Sequence, residues 1–188
     1  MEATRSTTVK ASAGRFDGSQ GSRLIGPRDG KAVDLGSVGV RFMAWAEETG
    51  RGFSVVEHPI PPLTLVAPLH RHSREDEYSF VLEGRMGALL GDEVVHAETG
   101  DFVFKPREQW HTFWNAGDAP CRVLEIISPG GFEHFFDEAD ALMSSPDFNP
   151  ASLGELGARY GVALDFDSVP RLCAEHGLDH PMLHMEPR

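Results

Sequence analysis

Three histidines and a short acidic run in the middle of the chain have the residue types and spacing of a metal site. His70 and His72 are two positions apart, the acidic run Glu75-Asp76-Glu77 follows, and His111 lies downstream. If the first two histidines lie on a β-strand, its period of two places both imidazoles on one face. A carboxylate from the next strand and a third imidazole from a neighbouring strand would complete a set for one divalent transition metal, namely Fe, Ni, Mn, Co, Cu or Zn. Such a set leaves one or two coordination positions open, as a catalytic metal requires.

The elements that must position these residues are predicted to be short β-strands. Brief apolar runs alternate with turn residues from Val38 to about Ile127, which is typical of an all-β sandwich or barrel. The predicted strands are Val38–Ala46, Phe53–Glu57, Leu63–Leu69, Tyr78–Leu82, Met86–Leu90, Glu93–His96, Asp101–Phe104, His111–Asn115 and Cys121–Ile127. Helix-start signals then predict short helices around Phe132–Met143 (after Ser128-Pro129), over Leu153–Tyr160 and from Ser168 to Gly177.

We predict three regions along the chain. Residues 1–30 are rich in Ser, Thr, Gly and charge and are predicted to form a flexible N-terminal arm. Residues 31–128 form the β-barrel, and residues 129–188 form a C-terminal helical extension without a large core of its own.

Length and charge exclude several classes of protein. The chain has 188 residues, with 17 Lys and Arg against 29 Asp and Glu, and a formal net charge of −12. This acidic surplus argues against a nucleic-acid partner, which would require a basic surface. No stretch is apolar enough to cross a membrane as a helix. Two cysteines without a metal-binding or disulfide pattern, and no visible secretory signal, predict a cytoplasmic protein.

The spacing of eight residues resembles the two motifs of the cupin superfamily, which are small jelly-roll β-barrels. The matching residues are His70, His72, Glu77 and Gly84 in the first motif and Gly100, Pro106, His111 and Asn115 in the second. The resemblance covers roughly residues 40–127 and implies a double-stranded β-helix. It implies that His70, His72, Glu77 and His111 bind the metal, because Glu77 fits the motif spacing better than Glu75 or Asp76. Single-barrel cupins commonly pair, so the resemblance also implies a homodimer, with the N-terminal arm and the strand at Val38–Ala46 as contact surfaces.

Two motif glycines are replaced in this chain. Thr64 stands at the opening glycine of the first motif, and Glu108 stands at the inner glycine of the second. Because glycine is often used where φ is positive, Glu108 predicts a different local turn just before His111.

The barrel interior is predicted to be largely apolar, which favours a hydrophobic or aromatic substrate over a sugar phosphate. Strand phase suggests Val66, Ser79, Val81 and Phe113 as substrate-contacting residues, and Phe102 and Phe104 if their face of the strand points inward. No basic residue clearly falls inside the barrel, since Arg71 is out of phase with the ligands and Arg74 lies in a turn.

The resemblance is closest in kind to the quercetin-dioxygenase-like single-domain cupins. It implies a mononuclear metal dioxygenase that acts on a small aromatic or enol-type substrate, with Glu77 also taking a proton from the substrate. The alternatives are a metal-bearing isomerase or small-molecule-binding cupin without oxygenase activity, and a metal-free binding module.

Overall fold

Two antiparallel β-sheets face each other across a shared interior in the computed structural model, which describes residues 22–146 and 148–185. The first sheet has the strand order β1-β2-β3-β10-β5-β8, and the second has the order β11-β4-β9-β6-β7. The strands are β1 Ala32–Asp34, β2 Gly39–Ala44, β3 Ser54–Ile60, β4 Leu69–His72, β5 Asp76–Glu83, β6 Arg85–Leu90, β7 Glu93–Glu98, β8 Phe102–Lys105, β9 His111–Asn115, β10 Cys121–Ser128 and β11 Val162–Asp165. This is the predicted jelly-roll β-barrel with few helices.

Three α-helices follow the barrel strands: α1 Glu133–Met143, α2 Pro150–Arg159 and α3 Ser168–His176. Helix α2 begins at Pro150, three residues before the predicted start at Leu153, because the Asn149 side chain accepts a hydrogen bond from the Ser152 amide and Pro150 occupies the first turn. Helix α3 ends at Gly177, which has a positive φ of 67°. Short 3₁₀ turns lie at Ala46–Thr49 and Pro181–His184.

Strand β10 shows how the sequence produces a two-faced sheet. Its residues alternate between buried and half-buried, so that Cys121, Val123, Glu125 and Ile127 point into the barrel. It pairs with β3 on one side and β5 on the other. Gly84 makes the tight turn between β5 and β6 possible. Its φ is 79°, and a Cβ there would lie 2.7 Å from the carbonyl oxygen of Pro120.

The buried apolar residues form three clusters. One fills the space between the two sheets and includes Val81, Met86 and Val123. A second lies between the first sheet and helices α1 and α2. The third lies outside the second sheet, where Trp114 packs against Leu172 and its neighbours on α3. Every residue of β9 is therefore buried, because the barrel core covers one face of that strand and α3 covers the other.

Three predictions about the elements need correction. Leu63–Leu69 is not a strand: its residues make only isolated bridges, at Thr64 and Leu65, before β4 begins at Leu69. Strands β1 and β11 were not predicted. The first helix, Glu133–Met143, agrees with the predicted Phe132–Met143, but Ser128-Pro129 does not start it, because Ser128 still belongs to β10.

The C-terminal region is more closely joined to the barrel than a helical extension would be. Strand β11 pairs with β4 along its whole length, with Leu164 opposite His70. The predicted N-terminal arm falls mostly on residues 1–21, which lie outside the described residues. No helix among the described residues is long and apolar enough to cross a membrane.

Candidate metal centre and its cavity

Strands from both sheets bring the four predicted ligand residues together inside the barrel. His70 and His72 are the two inward-facing residues of β4. His111, on β9, lies directly opposite His70 in the strand register. Glu77 enters from β5 of the facing sheet. All four side chains are buried.

The ligand atoms converge closely enough to share one ion. One atom from each of the four residues lies within 4.8 Å of the others. The Glu77 carboxylate is central: its Oε2 lies 3.1 Å from His111 Nε2, and its Oε1 lies 3.4 Å from His72 Nε2. Three nitrogens and one carboxylate oxygen are a donor set suited to a divalent transition metal.

Outer hydrogen bonds orient the imidazoles. His70 Nδ1–H donates to the carbonyl oxygen of Pro68 at 2.8 Å, and His111 Nδ1–H donates to that of Gln109 at 3.0 Å. These bonds fix the tautomer, so that Nε2 carries the lone pair that a metal needs. His72 Nδ1 faces the buried Glu75 carboxylate at 3.5 Å.

The protonation states match those of metal ligands. Burial and the neighbouring imidazoles lower the pKa of His70 well below its ordinary value. Burial also lowers the pKa of His111, against the opposing effect of Glu77. Burial alone would raise the pKa of Glu77, but Lys105 and the histidines outweigh it and hold the pKa well below its usual range. These three groups are therefore two neutral imidazoles and an ionised carboxylate, as coordination requires.

An unsatisfied nitrogen indicates that the residues fit a metal. Neither ring nitrogen of His72 has a hydrogen-bond partner among the described residues, although both are fully buried. Buried polar atoms without partners are rare and costly in folded proteins. His72 Nε2 faces Glu77. An ion held by Glu77 would therefore also satisfy this nitrogen.

The other two acidic residues of the run have different roles. Asp76 points outward and holds the Arg107 guanidinium through two hydrogen bonds, of 3.0 and 2.8 Å. Glu75 lies beside His72 Nδ1, on the side of the ring away from Glu77. The alternation of β5 turns Asp76 outward and Glu77 inward. Glu77 is therefore the acidic residue of the run that points into the ligand cluster.

A buried lysine lies behind the metal site. Lys105 Nζ is 3.0 Å from Glu77 Oε2 and 3.1 Å from Glu125 Oε2, which also accepts a hydrogen bond from Ser79 Oγ at 2.9 Å. The ammonium lies 4.4 Å from the centre of the Phe113 ring. The prediction that no basic residue enters the barrel was therefore wrong. Burial disfavours the charged lysine, but the two carboxylates outweigh it and raise the pKa of Lys105.

A cavity of about 140 Å³ opens onto the site and is lined by His70 and Glu77. Its walls are mainly apolar and include Val66 and Phe113 from the barrel. The wall formed by the C-terminal region includes Phe132, Phe136, Leu153, Leu164, Phe166, Met182 and Met185. The C-terminal region thus forms one whole side of the cavity.

The residues predicted to contact substrate fall into three groups. Val66 and Phe113 line the cavity. Ser79 and Val81 point inward but do not line the cavity. Ser79 donates a hydrogen bond to Glu125, and Val81 packs in the barrel core. Phe102 and Phe104 were placed wrongly: they are 58% and 47% exposed on the outer face of β8, because Val103 and Lys105 take the inward positions.

Sequence reasoning missed three polar residues inside the barrel: His58, Lys105 and Glu125. Each lies in phase with buried apolar neighbours, since His58 follows Val56 by two positions and Glu125 lies between Val123 and Ile127. A polar residue at a core position of a strand was the signal that could have identified them. It is weak by itself, because the partners come from other strands.

The two glycine replacements have different structural outcomes. Glu108 has a φ of 65°, so the left-handed turn persists and the predicted change of turn was wrong. Thr64 Oγ1 donates to the carbonyl oxygen of Pro62 at 3.0 Å, and the positive φ falls on the preceding residue, Leu63. The motif residue Asn115 stabilises the backbone, because the two hydrogens of its Nδ2 amide are shared among the carbonyl oxygens of Ile60, Pro61 and Ala119.

Comparison with known proteins agrees with this geometry. Residues 57–127 match the family model Cupin_2, described as a cupin domain. "Tetracenomycin polyketide synthase protein TcmJ" of Streptomyces glaucescens is 35% identical over 60 residues, covering 32% of this chain and 40% of the relative. "Uncharacterized protein MJ1618" of Methanocaldococcus jannaschii is 31% identical over 65 residues, covering 35% and 52% respectively. The chain therefore matches about half, or less, of the length of these curated relatives.

Among solved structures, KdgF from Halomonas sp. has the same barrel. It superposes with a TM-score of 0.53 at 15% identity, covering 61% of this chain and 99% of KdgF. At this level of identity the likeness concerns the fold alone. The family-model match over residues 57–127, in contrast, includes all eight motif residues and the four candidate ligands.

Proposed function

We propose that this chain, whose residues 57–127 match the cupin family model, is a mononuclear metal-dependent oxygenase acting on a small aromatic or enol-type substrate. The observation that carries the proposal is the convergence of three histidines and Glu77 around an unsatisfied, buried imidazole nitrogen at the end of an apolar cavity. A site of this kind combines an open coordination position with a binding pocket.

The chain's own residues would bind and orient the substrate. When bound, a divalent ion would supply Lewis acidity and, if redox-active, reactivity towards dioxygen. The aromatic walls of the cavity, which include Phe113 and Phe132, would exclude water and hold a flat ring. Glu77 is held ionised beside the site and would serve as the acceptor for a substrate hydroxyl proton.

Cavity size narrows the substrate class. A cavity of about 140 Å³ is comparable with apolar protein cavities of about 150 Å³ that bind benzene. This volume supports a single-ring phenol or a short diketone rather than a three-ring flavonol. The relative whose name includes a polyketide synthase supports the same class, because polyketides carry alternating carbonyl groups that enolise readily.

A metal-bearing isomerase remains the second candidate function. It is favoured by the two carboxylates that line the cavity, Glu77 and Glu125, because isomerisation requires acid–base groups but no oxidant. Zinc in the purified protein would support this candidate, since zinc has no redox step to offer.

Metal analysis tests the first part of the proposal. Protein purified without a metal-affinity tag is expected to hold nearly one Fe, Ni, Mn, Co or Cu per chain, and the His70→Ala/His111→Ala variant is expected to lose it. His96→Ala/His184→Ala is the matched control, because both of these histidines lie outside the cluster. Failure of the wild-type chain to bind any of these metals when they are added would refute the proposal.

Oxygen uptake tests the second part. With the metal bound, catechol or 2,4-pentanedione is expected to raise oxygen consumption above the rate of the His70→Ala/His111→Ala variant. If the protein holds its metal but oxygen uptake stays at background with single-ring phenols and short diketones, the oxygenase proposal is refuted. The isomerase is then the remaining candidate function.

For partners, we propose a small-molecule substrate and a second copy of the chain. Tyr78, Phe80, Phe102 and Phe104 form an aromatic patch on the outer face of β5 and β8, where Tyr78 stacks on Phe104 at 5.0 Å. Large exposed apolar patches mark interaction sites, and β8 is also an edge strand that a second copy would extend. The predicted contact at Val38–Ala46 is less suitable, because β1 covers that edge.

We also propose a cytoplasmic location. Both cysteines are buried and unpaired, which suits a reducing compartment. Burial raises the pKa of the Cys121 thiol to about 11, so this residue is not a reactive nucleophile.

A further inference from the structure

The register of the first sheet pairs a buried lysine with the carboxylate ligand. Lys105 on β8 lies directly opposite Glu77 on β5, and both side chains turn inward. Side chains directly opposite each other in an antiparallel pair have Cβ atoms about 4.5–5.5 Å apart, so this contact follows from the backbone pairing. The ammonium Nζ lies 3.0 Å from Glu77 Oε2, and neither side chain is more than 6% exposed.

A second carboxyl group and an aromatic ring hold the lysine in place. Lys105 Nζ lies 3.0 Å from Glu125 Oε1 and 3.1 Å from Glu125 Oε2. Glu125 is itself held by Ser79, its partner in the register of β5 and β10, whose Oγ donates to Oε2 at 2.9 Å. The ammonium also lies 4.4 Å from the centre of the Phe113 ring on β9. Contacts from three strands therefore leave the ammonium little freedom to move away from Glu77.

The two carboxylate oxygens of Glu77 have different surroundings. Oε2 lies 3.0 Å from the Lys105 ammonium, whereas Oε1 lies 3.4 Å from His72 Nε2. An oxygen that accepts a charge-assisted hydrogen bond has less electron density to donate to a metal. His72 Nε2 is the buried nitrogen without a hydrogen-bond partner, so the oxygen beside it is the one next to an unsatisfied ligand atom. Both observations favour Oε1 as the metal-binding oxygen.

We propose that Lys105 is a positioning residue that engages Oε2 of Glu77 and so makes this glutamate a metal ligand through Oε1 alone. With three imidazoles and one carboxylate oxygen, a six-coordinate divalent ion keeps two positions for the substrate. A glutamate that bound through both oxygens would fill one of them. The substrate is then an enol or phenol that chelates the metal through two oxygens. This inference rests on the proposed function, because it takes the metal site as given.

Two small anions that differ in the number of atoms they give to a metal test the role of Lys105. Acetohydroxamate binds through two oxygens and azide through one nitrogen. Both bind as monoanions, so the loss of a positive charge affects them alike, and the ratio of their dissociation constants reports the open positions. Titrations of the cobalt-loaded protein are followed by the visible absorption of the cobalt ion.

In Lys105→Met, the preference for acetohydroxamate over azide is expected to fall by about tenfold from the wild-type value, as for the loss of other outer partners of a metal ligand. Its acetohydroxamate complex should also differ from the wild-type complex in visible spectrum, because the chelator then binds through one oxygen. A change in packing alone would not move this ratio.

A control and a second variant accompany this substitution. Lys31→Met is the matched control, because Lys31 forms its ion pair with Asp137 at the surface, and its preference is expected to stay at the wild-type value. Lys105→Met leaves Glu125 buried without its ammonium partner. Lys105→Met/Glu125→Gln removes both members of that pair, which costs less stability than removing one, and it is expected to show the same fall in preference.

The outcomes separate this inference from the proposed function. A wild-type preference in cobalt-loaded Lys105→Met or in the double variant overturns the role of Lys105 and leaves the metal site standing. A folded Lys105→Met that binds no cobalt overturns it as well, because the lysine would then decide whether metal binds. The expected fall in preference without any oxygen uptake refutes the oxygenase and supports the role of Lys105. A wild-type chain that binds no metal refutes both.

Discussion

At the scale of single residues, the metal site depends on how its ligands are supported. His70 and His111 are each held by a hydrogen bond to a backbone carbonyl, whereas His72 faces the carboxylate of Glu75. Outer partners of this kind fix the orientation and basicity of a ligating imidazole. The support of His72 is therefore the one that a side-chain substitution can remove.

Replacing Glu75 is expected to weaken metal binding. Glu75→Gln removes the negative charge beside His72 Nδ1, and the loss of such a partner typically costs about 10–100-fold in metal affinity. Asp76→Asn is the matched control, because the neighbouring carboxylate points outward to Arg107. Competition with a chromogenic chelator measures both affinities, and equal affinities in the two variants would contradict the assigned role of Glu75.

His58 makes stability depend on pH. The pKa of His58 is lowered to about 4 in the folded chain, from 6.5. As the pH falls below 6.5, the unfolded chain binds a proton that the folded chain rejects until about pH 4, so stability is lost within that window. The loss is about 3 kcal/mol. Urea unfolding of metal-free wild type and His58→Phe at pH 7, 6 and 5 measures it. A difference between the two proteins that is constant with pH would contradict the prediction.

Glu108 holds a left-handed turn that glycine would adopt with less strain. Its φ is 65°, and its amide donates to the carbonyl oxygen of His72 at 2.7 Å. Glu108→Gly is expected to raise the free energy of unfolding by about 0.5–1 kcal/mol, because relief of strain exceeds the added freedom of the unfolded chain. Glu108→Ala keeps the strain and should show no gain. Thermal melts of both variants decide the matter.

At the scale of elements, β9 links the metal site to the C-terminal helices. His111 and Phe113 face the interior, whereas Trp114 faces Leu172 on α3. The sequence predicted the inward position of Phe113, because alternation along one strand is a local property. It could not predict that α3 would cover the outer face, since that contact joins residues about sixty positions apart.

Gly87 on β6 leaves room for the indole of Trp114, its partner on β9. A Cβ at Gly87 would lie 2.2 Å from Trp114 Nε1, so Gly87→Ala must displace the indole into the α3 cluster. The expected cost is about 1–3 kcal/mol of unfolding free energy, as for other overpacked cores. Gly117→Ala is the control, since its nearest contact would be an ordinary 3.5 Å. Chemical denaturation compares the two variants, and equal stability would contradict the packing.

Strand phase explains which side chains could be predicted and which could not. The four ligands follow from spacing, because two histidines at positions i and i+2 on one strand share a face. In β8, three consecutive apolar residues, Phe102 to Phe104, carry no phase information. The inward face of β8 is set by Lys105. This polar side chain is buried because it forms ion pairs with Glu77 and Glu125, which come from two other strands. Partners that converge only in the folded state are not visible in a linear pattern.

At the scale of the whole molecule, the barrel and the C-terminal region form one structure. Strand β11 extends the second sheet beyond β4, and α1 and α2 close one side of the cavity. The aromatic patch lies on the outer face of β5 and β8, at one edge of the first sheet, whereas α1 contacts β1 and β3 at the other edge of that sheet. The surface that we propose for pairing is thus separate from the wall of the substrate cavity.

Disruption of the aromatic patch is expected to give monomers. Sedimentation velocity should show a dimer for the wild-type chain and a monomer for Phe102→Ser/Phe104→Ser, because the substitutions remove two of the most exposed aromatic rings. Val94→Ser alters an exposed apolar residue on the other sheet and should stay dimeric. A monomeric wild type, or a dimeric double variant, would contradict the proposed pairing surface.

The buried lysine has a consequence for electroneutrality inside the barrel. Glu77 is held ionised and Lys105 is held charged, so these two charges cancel. Burial raises the pKa of Glu125 to about 7, so near neutral pH this carboxyl group is partly protonated in the metal-free protein. A divalent cation in the same interior adds positive charge and favours the ionised carboxylate, so metal uptake near pH 7 should release protons to the solvent.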